Sequence, residues 1–380
     1  MNELENYKAI LEKYFGVGAA TFNTTSGATN PVTAALNHSG FSSFRSISFG
    51  RFKRLATRYP KPDSSRSHLL NSLNEVASGE NWAGAYAELV AFDFLNSDQD
   101  WLLTPITLSK TVPASETLAG ALGNKNANFD GVYDDFGACF DVKVLSDKSR
   151  AILDGIIAEA KTNLGISGAV ISPEYPLELD FKLFQQNRSS LVVELQGAID
   201  VAAQTALVRS KVIPDLAYSL MWQEGTLTTT NTYNPYLHAA NHHTLLFTHT
   251  KNFSKTQPSL IVFVVFPWFS EQVTNQTDSN EIFYRSFCRR FFCQYAKDTR
   301  SATAILKSFQ GNETVAQVTD KLSGVLFLED RSITSSNEDA QSVEGFAYLN
   351  PNAAHKISEH FRDHLSSLRF AVDDFAHDNY

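Results

Sequence analysis

Only three cysteines, Cys139, Cys288 and Cys293, stand in 380 residues. That is too few for a disulfide framework. No run of about eighteen apolar residues occurs, so no membrane-spanning helix is expected. Residues 1–8 lack a basic segment leading into an apolar one, so they do not read as a secretory leader. A glycine-rich phosphate loop, a Gly-X-Ser-X-Gly turn, internal repeats and a long low-complexity linker are also missing. A soluble cytoplasmic protein with no membrane partner is the expectation. Positive charge is scarce too: 32 Lys and Arg face 41 Asp and Glu, a net charge of −9. Such a balance suits nucleic-acid binding only if the cations are gathered in one place.

Apolar residues are plentiful. At 43% hydrophobic and 12% aromatic, the chain can bury a large core as one elaborated domain or two. The most informative stretch is 127–145, which reads as a β-hairpin. Two apolar-rich runs, 127–133 and 138–145, are joined by Asp134, Asp135, Phe136 and Gly137, which are suitable turn residues. Side chains alternate along a strand, so Ala138, Phe140, Val142 and Val144 form one apolar face. Cys139, Asp141, Lys143 and Leu145 share the other, with Asp141 and Lys143 roughly 6–7 Å apart.

Folding the hairpin with Tyr133 opposite Ala138 puts Asp130 opposite Asp141; a bulge at Gly137 would shift this by one residue. Carboxylates facing each other across a ladder repel. A cation would neutralise them, and oxygen ligands suit a hard divalent ion: Mg²⁺, with Mn²⁺ as a substitute. The adjacent Lys143 could hold or deprotonate a water or contact a phosphate oxygen. A surface hairpin with solvated charges is the plainer reading, and Phe129, Val132, Phe140 and Val142 weigh against it.

Upstream, 81–96 predicts a helix of mostly apolar or small residues. Between Ala83 and Leu95 its only charges are Glu88 and Asp93. Gly84, Ala85, Ala91 and Phe92 share the side of Glu88. A glutamate so surrounded is either buried with a partner or lines a site; a helix-surface position is the plain alternative.

Helical Glu88, then a strand, then Asp130, then Asp-X-Lys at 141–143 resembles the PD-(D/E)XK nuclease superfamily, the restriction-endonuclease-like fold. The resemblance covers about residues 78–145, with weaker support to about 266. The proline that names the motif is absent: Asn128 and Phe129 precede Asp130. The resemblance implies an α/β fold whose restriction-endonuclease-like core is a central mixed β-sheet flanked by helices, with large helical and strand insertions. It also implies Glu88, Asp130, Asp141 and Lys143 as catalytic residues. Glu88, Asp130, Asp141 and the carbonyl of Val142 would be ligands of Mg²⁺. The activity implied is Mg²⁺-dependent endonucleolytic hydrolysis of DNA, in restriction or phage defence. RNA stays open as substrate and a homodimer as assembly. The alternative is a nucleic-acid-binding or protein-interaction module on an inactive nuclease-like fold.

The cations are gathered in one segment. Residues 45–66 carry Arg45, Arg51, Lys53, Arg54, Arg58, Lys61 and Arg66 against Asp63 alone. Phe49, Phe52, Leu55 and Tyr59 interleave them at helical spacing. Arg45, Arg51, Lys53, Arg54 and Arg58 are the candidates for nucleic-acid contacts, and a solvated basic helix is the other reading. A basic N-terminal region, 1–75, is expected to precede a nuclease-like domain, 76–380. That domain would hold an insertion at about 145–230 and a C-terminal extension at about 300–380. Helices are expected at 3–15, 46–59, 66–96, 149–164, 188–211, 236–254, 280–297 and 352–371. Strands are expected at 100–107, 168–172, 177–184, 323–328 and 345–349. The run 259–269, continuously apolar at its centre, predicts a strand buried on both faces. His238 and His242 have the i,i+4 spacing of a zinc pair. No third ligand accompanies them, so partly exposed histidines are the preferred reading.

Overall fold

The computed structural model describes the chain except residues 1–2, 24–29, 79–80, 99–100, 115–125, 146–147, 167, 176–180, 202–204, 223–233, 243, 250–252, 270–276, 308, 310, 336–341 and 379–380. The fold is mixed α/β, with a central mixed sheet flanked by helices.

Two compact units divide the chain. The first comprises Met1–Leu145 and His243–Tyr380. It opens with five helices: α1 (Glu3–Phe15), α2 (Pro31–Asn37), α3 (Ser42–Arg58), α4 (Ser65–Glu75) and α5 (Trp82–Leu95). Asn30 starts α2 by accepting from the amides of Val32 and Thr33, with Pro31 at the first helical position, where its missing N–H costs nothing. Three strands follow, β1 (Thr107–Pro113), β2 (Asn126–Tyr133) and β3 (Ala138–Val144).

The second unit, Ser146–His242, packs helices Lys148–Leu164 and Arg188–Val201 with a three-stranded antiparallel sheet. Its strands are β4 (Ala169–Glu174), β5 (Thr205–Arg209) and β6 (Ala217–Trp222), in the order β4-β6-β5. The chain then returns to the first unit with β7 (Ser259–Val265), β8 (Gly324–Asp330), β9 (Val343–Leu349) and β10 (Ala371–Asp373).

The large sheet runs β1-β2-β3-β7-β8-β9-β10. The β1/β2, β2/β3 and β8/β9 pairs are antiparallel, and β3/β7, β7/β8 and β9/β10 are parallel. Every residue of β7 and β8 is buried, as the apolar run at 259–265 requires of a strand covered on both faces. On β3, Ala138, Phe140 and Val142 join the main core with α5, while Cys139 joins a small second cluster with Val112, Phe129 and Val132. That division follows the alternation expected of the hairpin.

Several boundaries differ from expectation. Residues 1–75 are not a separate region: Tyr7, Leu11, Phe52 and Leu73 lie in the same core cluster as Phe140 and Val262. Nor is 300–380 an extension, since it supplies three strands of the central sheet. The inserted unit spans Ser146–His242 rather than 145–230. The helix expected over 66–96 is broken into α4 and α5. The strand expected at 100–107 starts at Thr107 instead, beyond Pro105, which cannot donate to a ladder. Residues 205–209, expected to prolong a helix, alternate in β5. The strand expected at 177–184 lies partly outside the described residues, and Phe181–Gln186 is helical.

Candidate active site

Asp141 and Lys143 lie on the inner strand β3, two residues apart and so on one side of it. Lys143 Nζ sits 2.6 Å from Asp141 Oδ2 and donates to the Val142 carbonyl at 3.0 Å. Asp141 is 3% exposed, and that ammonium is its ion-pair partner.

Asp130 enters from β2, where two ladders fail together. Strands β2 and β3 pair Tyr133 with Ala138, Val132 with Cys139 and Gly131 with Phe140, and the pairing stops there. Beyond it the Asp130 carboxylate takes the place of a backbone partner, its Oδ2 accepting from the Val142 amide at 2.7 Å. On the other side β1 pairs Leu108 with Gly131 and Lys110 with Phe129, while the intervening Ser109 has φ 53°. A left-handed serine is uncommon and signals local constraint. Gly131 is also required: the Phe140 ring lies where a Cβ would sit, 2.1 Å from it.

Burial, chiefly, pushes the Asp130 carboxyl up to about 8 from its ordinary 3.8. The charge of Asp141 and a hydrogen bond with it add to the shift, as does Glu88, and Lys143 opposes them. Like charges held together out of water favour the protonated form.

Glu88 reaches the group from α5. Its Oε2 accepts from Ser72 Oγ at 2.5 Å and lies 3.5 Å from His68 Nε2, both on α4. One ligand atom each from His68, Glu88 and Asp130 falls within 4.8 Å of the others. The four residues anticipated from sequence, Glu88, Asp130, Asp141 and Lys143, therefore converge. His68 and Ser72 were not anticipated. They precede Glu88 by 20 and 16 residues, and only the packing of α4 on α5 brings them to it.

The donor set fits a cation. Three carboxylates gather against one ammonium, and His68 Nε2 is cut off from solvent with no hydrogen-bond partner. Glu88, Asp130, Asp141 and the Val142 carbonyl are oxygen donors of the kind a hard divalent ion takes. Among the described residues, no other group of three His, Cys, Asp or Glu side chains offers ligand atoms so close together.

The basic segment needs correction. Arg51 is 1% exposed and cannot touch a nucleic acid. It donates to Tyr86 Oη at 2.7 Å and pairs with Asp330 at 3.4 Å and Asp93 at 3.6 Å. Arg54 grips Asp93 with two hydrogen bonds of 2.8 and 2.7 Å. Arg45 donates to the carbonyls of Leu36 and His38 at the end of α2, and Arg58 to that of Leu102. Of the five candidates, Lys53 alone is exposed with no such contact to the fold. These four arginines tie α3 to the rest of the fold.

His238 and His242 have ring centroids 4.1 Å apart with their planes tilted by 55°, and His242 Nδ1 lies 2.9 Å from the His238 carbonyl. His242 is buried, not partly exposed as expected. Cys288 and Cys293 are buried free thiols. Neither a family model, nor a curated protein, nor a solved structure matches the chain.

Proposed function

We propose that this chain is a metal-dependent nuclease that hydrolyses DNA phosphodiester bonds internally. The observation that carries the reading is the meeting of Glu88, Asp130, Asp141 and Lys143 from three separate elements in one partly buried cluster. The element order supports it: helix α5, an antiparallel β1-β2-β3 meander, then β7 returning parallel to β3. That is the order expected of a restriction-endonuclease-like core, and it is the basis for assigning this fold. The assignment to restriction or phage defence is a further part of the proposal and rests on the resemblance alone.

Phosphodiester hydrolysis needs an activated water, relief of charge at phosphorus and help for the leaving oxygen. Glu88, Asp130, Asp141 and the Val142 carbonyl would hold Mg²⁺ or Mn²⁺, which when bound supplies Lewis acidity toward water and phosphate. Lys143 is held by Asp141 and the Val142 carbonyl beside those donors. From there its ammonium donates to the attacking water or to a phosphate oxygen as charge builds. Ser72 fixes the Glu88 rotamer through the hydrogen bond to Oε2. With Arg51 buried and Arg45 and Arg58 engaged by backbone carbonyls, Lys143, Lys53 and the exposed Arg54 are the cations left for phosphate among the five basic candidates and the site.

The test is incubation of purified protein with supercoiled plasmid, linear DNA, single-stranded DNA and RNA, with and without Mg²⁺ or Mn²⁺. Cation-dependent nicking of plasmid is expected, and Lys143→Ala should lower its rate about 100–1,000-fold, the scale of other preorganised electrostatic groups. If Lys143→Ala cuts like the parent, the assignment is wrong. DNA retained on the protein without any cutting would favour the binding module on an inactive fold.

A further inference from the structure

The three carboxylates of the pocket are not equally short of positive charge. Asp141 is buried against the Lys143 ammonium, which also occupies the Val142 carbonyl. Two of the four oxygen donors anticipated for a metal are thus already served by a cation of the chain. Glu88 and Asp130 are different. Among the described residues, no lysine or arginine lies within ion-pairing distance of either. What stands beside them is the imidazole of His68.

His68 is on α4, one turn before the Ser72 that orients Glu88. Its Nε2 lies 3.5 Å from Glu88 Oε2, shielded from solvent and hydrogen-bonded to nothing. The ligand atoms of His68, Glu88 and Asp130 fall within 4.8 Å of one another. Donors around one first-row ion, each about 2.0–2.2 Å from it, stand roughly 3–4 Å apart, so small side-chain rotations close the set.

We propose that His68, Glu88 and Asp130 form a metal centre of one imidazole and two carboxylates, whose nitrogen ligand makes it prefer Mn²⁺ to Mg²⁺. Mg²⁺ takes oxygen almost exclusively, whereas imidazole suits transition ions. In this arrangement His68 takes a ligand place that the nuclease reading gave to Asp141 and the Val142 carbonyl, which stay with Lys143. The inference rests on the pocket as a metal centre, independently of the substrate cleaved. The rival account is a protonated His68 that neutralises Glu88 by itself, with no metal.

The experiment is titration of the full chain with Mn²⁺ and with Mg²⁺ by calorimetry, without nucleic acid, together with pulsed electron paramagnetic resonance of bound Mn²⁺. One Mn²⁺ should bind at least about tenfold more tightly than Mg²⁺, and its spectrum should carry imidazole ¹⁴N coupling. His68→Gln, which keeps the helix and much of the volume, should weaken Mn²⁺ about tenfold or more and abolish that coupling, while Mg²⁺ changes by less than about threefold. Absence of Mn²⁺ binding, or unchanged affinity and coupling in His68→Gln, overturns the proposal. Should the variant unfold, absence of ¹⁴N coupling in the parent overturns it alone. A chain that binds Mn²⁺ through His68 yet cuts nothing sinks the nuclease reading and leaves this one standing. Cutting with Mg²⁺ that is indifferent to His68, with no Mn²⁺ preference, does the reverse.

Discussion

Helix α5 carries polar side chains on two sides, and the two sides are built differently. Tyr86 and Asp93, seven residues apart, share the side that meets α3. Glu88 lies roughly 140–200° around from them at about 3.6 residues per turn. Toward α3 the charges match: Arg51 and Arg54 against Asp93 and Asp330. Toward the pocket they do not, with Glu88, Asp130 and Asp141 against Lys143. A matched buried network holds a fold together. An unmatched one costs stability, and that cost is relieved when a cation binds. The lesson is that net charge over the whole chain is a poor guide to local balance: a chain of −9 holds a matched network on one side of α5 and an unmatched cluster on the other.

Breaking the matched side should have the largest effect. Arg51→Ala strands the wholly buried Asp330 and should cost about 3–5 kcal/mol in urea unfolding, the penalty for halving a buried pair. A loss under about 1 kcal/mol would show that solvent or relaxation already screens the network.

The unmatched side should respond with the opposite sign. Asp130→Asn is expected to stabilise the metal-free protein by on the order of 1–3 kcal/mol at pH 8. The folded carboxyl titrates near 8 against 3.8 ordinarily, so the folded state binds more protons between those values. The parent's stability from this group is therefore complete below about pH 4 and lost as pH rises toward 8. The advantage of the variant should grow over that window, read from unfolding curves at several pH values. His364 works the other way: burial lowers its pKa from 6.5 to about 4, so the parent also loses stability as pH falls through that range. Comparing variant with parent at each pH removes that contribution. A constant difference across pH 4–8 would show that Asp130 is not the strained group.

The smallest effect is expected at the rim of the matched side. Arg54 is more than half exposed, so Arg54→Ala should cost no more than about 1 kcal/mol and leave Mn²⁺ affinity unchanged. A larger loss would make Arg54 as much a part of the core network as Arg51.

Some of this was legible in the chain and some was not. The hairpin register was: Tyr133 faces Ala138 as its turn residues imply. The burial of Arg51 was also readable, though not from charge. Phe44, Ser48, Arg51 and Leu55 follow the i, i+4, i+7, i+11 spacing of a buried helical stripe. The basic count hid that position. His68 left no comparable trace, because a histidine between Ser67 and Leu69 on a short helix has no local signature. The matched partner of Arg51 was equally hidden, Asp330 being 279 residues away.

From sequence alone came the antiparallel hairpin, the shared side of Asp141 and Lys143, and a doubly buried strand, expected over 259–269 and formed over Ser259–Val265. These are properties of a backbone with period two and of apolar runs, and they need no distant partner. The tertiary structure alone decided that α4 delivers His68 and Ser72 to Glu88. It also brought β8, β9 and β10 into the central sheet and buried Arg51 of the basic helix. Those outcomes depend on which surfaces pack together, and packing couples residues that the chain keeps far apart.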